Sequence, residues 1–116
     1  MTLKSILGEG GYEVGVAGDV RQAREMLAAK AYDVVLTDLV LPGESGMVLV
    51  KEVRQKFPRI PVILMAGAPS KETTMEASRA GVVACLTKPV PPKKLLPAVH
   101  QAVTVRVPDA EGHPFA

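Results

Sequence analysis

Mainly apolar runs alternate along the chain with segments whose apolar residues recur every three or four positions. Residues 33–38, 61–66 and 82–87 are short and rich in β-branched side chains, which is typical of buried strands in a parallel sheet. In residues 12–17 the apolar side chains occupy every second position, which predicts a further strand. Strands separated by helical segments of about ten residues predict an open parallel α/β sheet with helices on both faces.

The segments between these runs carry signals that begin and end helices. Asp19, with Gln22 three residues later, predicts a capping box. Ser70 and Gly81 are placed to begin and end another helix. Helical periodicity marks three further segments: the start of the chain, the stretch before Pro58, and the region near the C-terminus. The residues predicted to face the core are Leu3, Ile6, Leu7, Ala23, Met26, Leu27, Met47, Leu49, Val50, Val53, Phe57, Leu95, Leu96, Val99 and Val103.

The size and charge of the chain exclude several classes of protein. Its 116 residues, 47% of them apolar and 22% charged, suit a single core, so we expect one domain over 1–103 and a tail over 104–116. The 14 basic and 12 acidic residues leave a net charge of +2, and the aromatic residues are two Tyr and two Phe. Direct binding to nucleic acid needs a basic surface and stacking aromatics, so we expect none.

Cysteine content and hydropathy indicate where the protein works. Cys85 is the only cysteine, which excludes an internal disulfide and a cysteine metal cluster, and its apolar neighbours predict a buried thiol. No apolar run reaches the roughly 18 residues that a membrane span needs. The N-terminus lacks the features of a signal peptide. We therefore expect a cytoplasmic protein without a membrane partner.

Two charged residues lie where the predicted strands end. In open α/β sheets, ligands bind beyond the carboxyl ends of the strands, and Asp38 and Lys88 are the charged residues that arrive there. Taken alone, Asp38 fits a loop cap and Lys88 a solvated edge residue. Together they predict an ammonium group facing a carboxylate, a pair that can stabilise a phosphoryl group on the carboxylate.

Four segments, in this order and spacing, carry a family resemblance. They are DLVLPG at 38–43, PVILMA at 61–66, AG at 80–81 and LTKP at 86–89. The chain, from about residue 3 to 103, resembles the receiver domain of bacterial two-component response regulators. The resemblance implies a flavodoxin-like fold with strand order 2-1-3-4-5. It also implies a signalling module rather than an enzyme, one that receives phosphate from a sensor histidine kinase or a phosphotransfer protein.

The resemblance assigns roles to individual residues. Asp38 matches the phosphoacceptor, and Lys88 matches the lysine that contacts the phosphate. Asp38 and the backbone carbonyl of Val40 match ligands of Mg²⁺. Other parts are missing: the first strand with its acidic pair is absent, and Ala66 and Cys85 occupy the positions of the switch hydroxyl and the switch aromatic. We therefore expect weak Mg²⁺ binding, slow phosphorylation and no other cofactor.

Two readings remain open at this point. One is a receiver domain with impaired Mg²⁺-dependent phosphorylation, and the other is a pseudo-receiver that acts as a protein-interaction or dimerisation module. The missing strand is central in the family's sheet, so flanking strands that pair directly, upstream residues or a strand from another chain must compensate. We expect a homodimer, with residues 103–107 as the candidate exchanged strand; the alternative is that these residues finish the last helix. A small enzyme or nucleotide-binding protein is disfavoured, because no glycine-rich phosphate loop follows a strand.

Overall fold

The computed structural model describes residues 3–41 and 43–104. Residues 105–116, and with them most of the predicted tail and of the candidate exchanged strand, lie outside this description. Val103 and Thr104 finish the last helix. In chain order the elements are α1 Leu3–Glu9, α2 Val20–Ala29, β1 Val35–Asp38, β2 Val40–Leu41, β3 Glu44–Ser45, α3 Gly46–Lys56, β4 Val62–Ala66, α4 Lys71–Ala80, β5 Ala84–Thr87 and α5 Pro92–Thr104.

Three of these strands form a parallel sheet in the order β1-β4-β5. The central strand, β4, is buried at every position, because it has a strand on each side and helices on each face. Its register sets Asp38 beside Met65 and Ala66 beside Thr87, so all three strands end at the same level. The predicted parallel α/β architecture is confirmed, with β1 and β5 each starting two residues later than the patterns indicated.

The core lies in two layers, one on each face of the sheet. Side chains alternate along β4, so Ile63 faces one layer while Val62 and Leu64 face the other. The first layer contains residues of α1 and α5, and the second contains residues of α2, α3 and α4. The buried residues of the first layer are Ile6, Leu7, Ile63, Leu95, Val99 and Ala102. Those of the second layer are Val20, Leu27, Met47, Leu49, Val50, Val53, Val62, Leu64 and Ala77.

The predicted helix boundaries are confirmed by hydrogen bonds at the caps. Asp19 Oδ1 accepts the Gln22 N–H at 2.8 Å, and Ser70 Oγ accepts the Thr73 N–H at 3.1 Å. The Gln22 side chain reaches back one residue further than a capping box requires and accepts the N–H of Gly18 at 2.7 Å. Gly81 ends α4 in the left-handed region, with φ of 92°.

The predicted strand over residues 12–17 is wrong. These residues form no ladder with any strand in the described part of the chain, although Tyr12 and Val14 pack against the α1–α5 layer. Alternating side chains provide a face that packs, but a strand also needs a neighbouring backbone about 4.8 Å away. No described strand pairs with these residues, and the outer edge of β1 is likewise unpaired among the described residues.

The predicted loop after β1 contains a short antiparallel hairpin. Val40 pairs with Ser45 and Leu41 with Glu44, and Gly43 takes a φ of 79° in the turn between them. Ser45 then begins α3, because its Oγ accepts the N–H of Met47 at 3.1 Å. The hairpin therefore lies between the end of β1 and the start of α3.

Candidate functional site

Asp38 and Lys88 meet at the carboxyl edge of the sheet. Asp38 is the last residue of β1 and Lys88 follows β5, so β4 lies between them, ending at Ala66. Their strands are two spacings apart, about 9–10 Å, and the long lysine side chain closes this gap over the small Ala66. Lys88 Nζ lies 2.6 Å from Asp38 Oδ1, so the predicted juxtaposition of the two charges is present.

The contact is an ion pair at a partly exposed position. The side chains are 36% exposed for Asp38 and 44% for Lys88, so the pair adds at most about 1 kcal/mol to stability. Asp38 Oδ1 itself is buried and accepts no well-directed hydrogen bond among the described residues. The exposed part of the Asp38 side chain therefore lies in its other atoms.

The main chain on both sides of Asp38 is held in place. The Leu39 N–H donates to the carbonyl of Met65 at 2.8 Å, and the Leu39 carbonyl accepts the Gly46 N–H at 2.6 Å. On the other strand, the Lys88 N–H donates to the Ala66 carbonyl at 2.8 Å. Both charged residues are thus anchored through backbone bonds to the end of β4.

Gly46 is a residue of this site that no pattern in the sequence singled out. A Cβ at this position would overlap the Asp38 carbonyl oxygen and lie 2.9 Å from the Asp38 carbonyl carbon and 3.2 Å from Leu39 Cα. The helix start must approach the end of β1 this closely for Gly46 to bond with Leu39. In the sequence, the only sign of this requirement is that Gly46 directly follows Ser45, which caps α3. Glycine at the first position of a helix is not unusual, so this sign does not stand out.

The residues present do not fit a bound Mg²⁺ ion. A hard divalent cation takes several oxygen ligands, usually more than one carboxylate, and Asp38 already contacts an ammonium group. Among the described residues no three His, Cys, Asp or Glu side chains are grouped to hold a metal. Asp19 caps α2, and Asp33 precedes β1 at the opposite edge of the sheet. The carbonyl of Val40 could supply only a neutral ligand.

The two predicted switch positions lie on neighbouring strands. Ala66 is buried at the end of β4, and Cys85 is half-buried on β5 opposite Leu64. Neither a hydroxyl nor an aromatic ring is present at these positions to respond to a charge on Asp38.

No helix in the part of the chain that the structure describes is long and apolar enough to cross a bilayer.

Comparison with known families decides what this arrangement belongs to. A family model described as the response regulator receiver domain matches residues 1–100. The chain belongs to this family. Response regulator PilR of Pseudomonas aeruginosa is 38% identical to the receiver domain over 112 residues, and transcriptional regulatory protein ZraR of Escherichia coli O157:H7 is 33% identical over 110. These matches cover 97% and 94% of this chain but 25% of each relative, so the chain spans about a quarter of their length.

Solved structures support the same assignment. A CheY-like receiver domain protein from Methanospirillum hungatei superposes with a TM-score of 0.82 at 28% identity, covering 87% of this chain and 81% of that one. The receiver domain of NtrX from Brucella abortus gives 0.82 at 27%, covering 87% and 86%. The fold is therefore the flavodoxin-like α/β fold. Receiver domains are signalling modules of two-component systems that work with histidine kinases or phosphotransfer proteins, and they generally use Mg²⁺ for phosphorylation.

Proposed function

We propose that this receiver domain accepts a phosphoryl group on Asp38 from a histidine kinase or a phosphotransfer protein, at a rate limited by poor use of Mg²⁺. The observation that carries the proposal is the 2.6 Å contact between Lys88 Nζ and Asp38 Oδ1 at the carboxyl edge of the sheet. A carboxylate oxygen of Asp38 attacks the phosphorus of a phosphohistidine. The new O–P bond replaces the N–P bond, and the departing imidazole takes up a proton from the solvent.

Charge balance explains why the transfer should be slow. The arriving phosphoryl group brings negative charge to a carboxylate that is itself negative, and Lys88 supplies a single positive charge beside it. In phosphoryl transfer a divalent cation usually neutralises the developing charge. Because the described residues hold no group of three His, Cys, Asp or Glu side chains that could bind a metal, the ammonium of Lys88 must do most of this work.

We expect acetyl phosphate with Mg²⁺ to label the receiver domain slowly and at one residue. Intact-mass spectrometry over time should show partial labelling, with a rate that changes little when EDTA replaces Mg²⁺. Asp38→Asn should remain unlabelled, and Lys88→Gln should be labelled more slowly than the parent chain. Asp33→Asn changes an exposed residue at the opposite edge of the sheet and should be labelled at the same rate as the parent. Complete labelling within minutes that depends on Mg²⁺ would refute the impairment, and label retained in Asp38→Asn would refute the acceptor assignment.

A second candidate function, dimerisation through the sheet, is favoured by the open edge of β1. Val35 and Leu39 donate their N–H groups to Pro61 and Met65, so the backbone groups of Leu36 and Asp38 point away from β4. Such an edge is a template for a strand from another chain. Since α5 continues through Thr104, only residues 105–107 precede Pro108, which leaves little length for a connection and a strand.

We expect light scattering at micromolar concentration to show a dimer, and a chain ending at Thr104 to remain dimeric because β1 supplies the edge. A monomeric full-length chain would count against the interaction module. Loss of the dimer in the shortened chain alone would instead identify the tail as the exchanged strand. Either result leaves the phosphoacceptor assignment to the labelling experiment.

A further inference from the structure

A surface groove runs between the β2–β3 hairpin and α4. Its floor is apolar, and Val40 is 81% exposed there, the most exposed large apolar side chain among the described residues. The groove begins directly beyond Asp38, because Leu39 and Val40 form part of it. The lining residues are Leu39, Val40, Glu44, Ser45, Met47, Glu72, Thr73 and Glu76.

Three carboxylates surround this apolar floor. Glu72 and Glu76 are one turn apart on α4, and Glu44 lies on the hairpin. No lysine or arginine is among the lining residues, and none of the three carboxylates forms an ion pair with a described residue. Glu72 lies in the first turn of α4, where a negative charge suits the helix dipole, but like charges four residues apart disfavour a helix, so the repulsion between Glu72 and Glu76 does not help α4.

Arg24, a cation on which the charge of Glu44 acts, is committed elsewhere. The pKa of Arg24 is raised above its usual value mainly by hydrogen bonds to Glu52, and only weakly by the charge of Glu44. Its guanidinium, on α2, donates two hydrogen bonds to the carboxylate of Glu52, on α3. Among the described residues, no ion pair neutralises the negative edge of the groove, on a chain whose net charge is +2.

We propose that this groove binds a basic segment of a partner protein. An apolar side chain of the segment sits on Leu39, Val40 and Met47, and its lysine or arginine side chains meet the three carboxylates. Nucleic acid and anionic membranes are repelled by the same charges. The proposal rests on the groove alone and is independent of phosphoryl transfer to Asp38.

A synthetic amphipathic helical peptide with leucines on one face and lysines on the other is the probe. Titrated into the ¹⁵N-labelled full chain, it should shift the amides of Leu39, Val40, Glu44 and α4, and raising the salt concentration should weaken binding. The same peptide with glutamate in place of lysine should cause no shifts. Shifts spread over other surfaces would overturn the proposal.

Charge-reversal variants of the chain provide the matched comparison. Glu44→Lys, Glu72→Lys and Glu76→Lys together should weaken binding by about tenfold or more. Glu9→Lys, Glu25→Lys and Asp33→Lys together change the net charge equally at exposed positions outside the groove and should have a much smaller effect. Equal weakening by both sets would show non-specific charge attraction and overturn the proposal.

Two further measurements keep the test decisive. Val40→Ser removes the apolar seat at an exposed position, so it should leave the fold intact and still weaken the peptide. The amides of the groove are also followed without peptide as the protein concentration is raised. If they shift and the triple variant Glu44→Lys, Glu72→Lys and Glu76→Lys abolishes the shifts, the occupant is a second copy of the chain, which would overturn the assignment to a partner protein.

Discussion

Gly46→Ala should lower the free energy of unfolding of the receiver domain by about 3 kcal/mol. The new methyl group would overlap the Asp38 carbonyl oxygen and lie 2.9 Å from the carbonyl carbon, and these are backbone atoms that cannot rotate away. Either β1 or the start of α3 must move, which breaks the Gly46–Leu39 hydrogen bond and disturbs the anchoring of Asp38. Urea unfolding followed by circular dichroism measures the loss, and labelling with acetyl phosphate should fall in parallel.

Gly8→Ala is the matched control for this variant. Gly8 lies in α1 and has open space where its Cβ would be, so alanine there should leave stability unchanged or raise it by up to about 1 kcal/mol. If Gly46→Ala lowers the free energy of unfolding by less than about 1 kcal/mol and leaves the amide shifts of Asp38 and Leu39 unchanged, the close approach of α3 to β1 does not constrain the site.

Leu64→Ala should be the other severe change, with a loss of about 2–5 kcal/mol. Leu64 is completely buried in the central strand and belongs to the layer that packs α2, α3 and α4 against the sheet. Truncation removes apolar contacts and leaves a cavity that neighbours on both sides prevent from closing. For a domain of this size such a loss is a large part of the total stability.

The measurement is again urea unfolding, with the midpoint and the slope compared separately. The slope should stay near that of the parent, because the surface exposed on unfolding is almost the same. Val16→Ala, at a side chain that is 60% exposed, should change stability by no more than about 0.5 kcal/mol. Equal losses in the two variants would mean that Leu64 is not part of a packed layer.

The charged pair could be predicted because it follows from rules that act along a strand. Apolar runs located the ends of β1 and β5, and parallel strands bring their carboxyl ends to one edge. Asp38 and Lys88 therefore had to come close, whatever the details of the loops. The caps at Asp19 and Ser70 were equally accessible, since their partners are three residues away.

Features that depend on distant neighbours could not be predicted in this way. The alternation in residues 12–17 correctly indicated a packing face, but a strand also needs a partner backbone, which a local pattern does not report. The β2–β3 hairpin has only two residues in each strand, too few for any period to be recognised. The requirement for glycine at 46 arises from the approach of another segment, so it is visible only in three dimensions.

The alternation of side chains along β4 gives the domain two half-cores with one common wall. Ile63 belongs to one half-core and Leu64 to the other, so side chains of α1 and α5 share no layer with those of α3. Each half can be repacked, by evolutionary drift or by design, without reworking the other. The pair of Asp38 and Lys88 depends on the backbone register of β4, which both halves leave unchanged, so the site can persist while the helices on either face diverge.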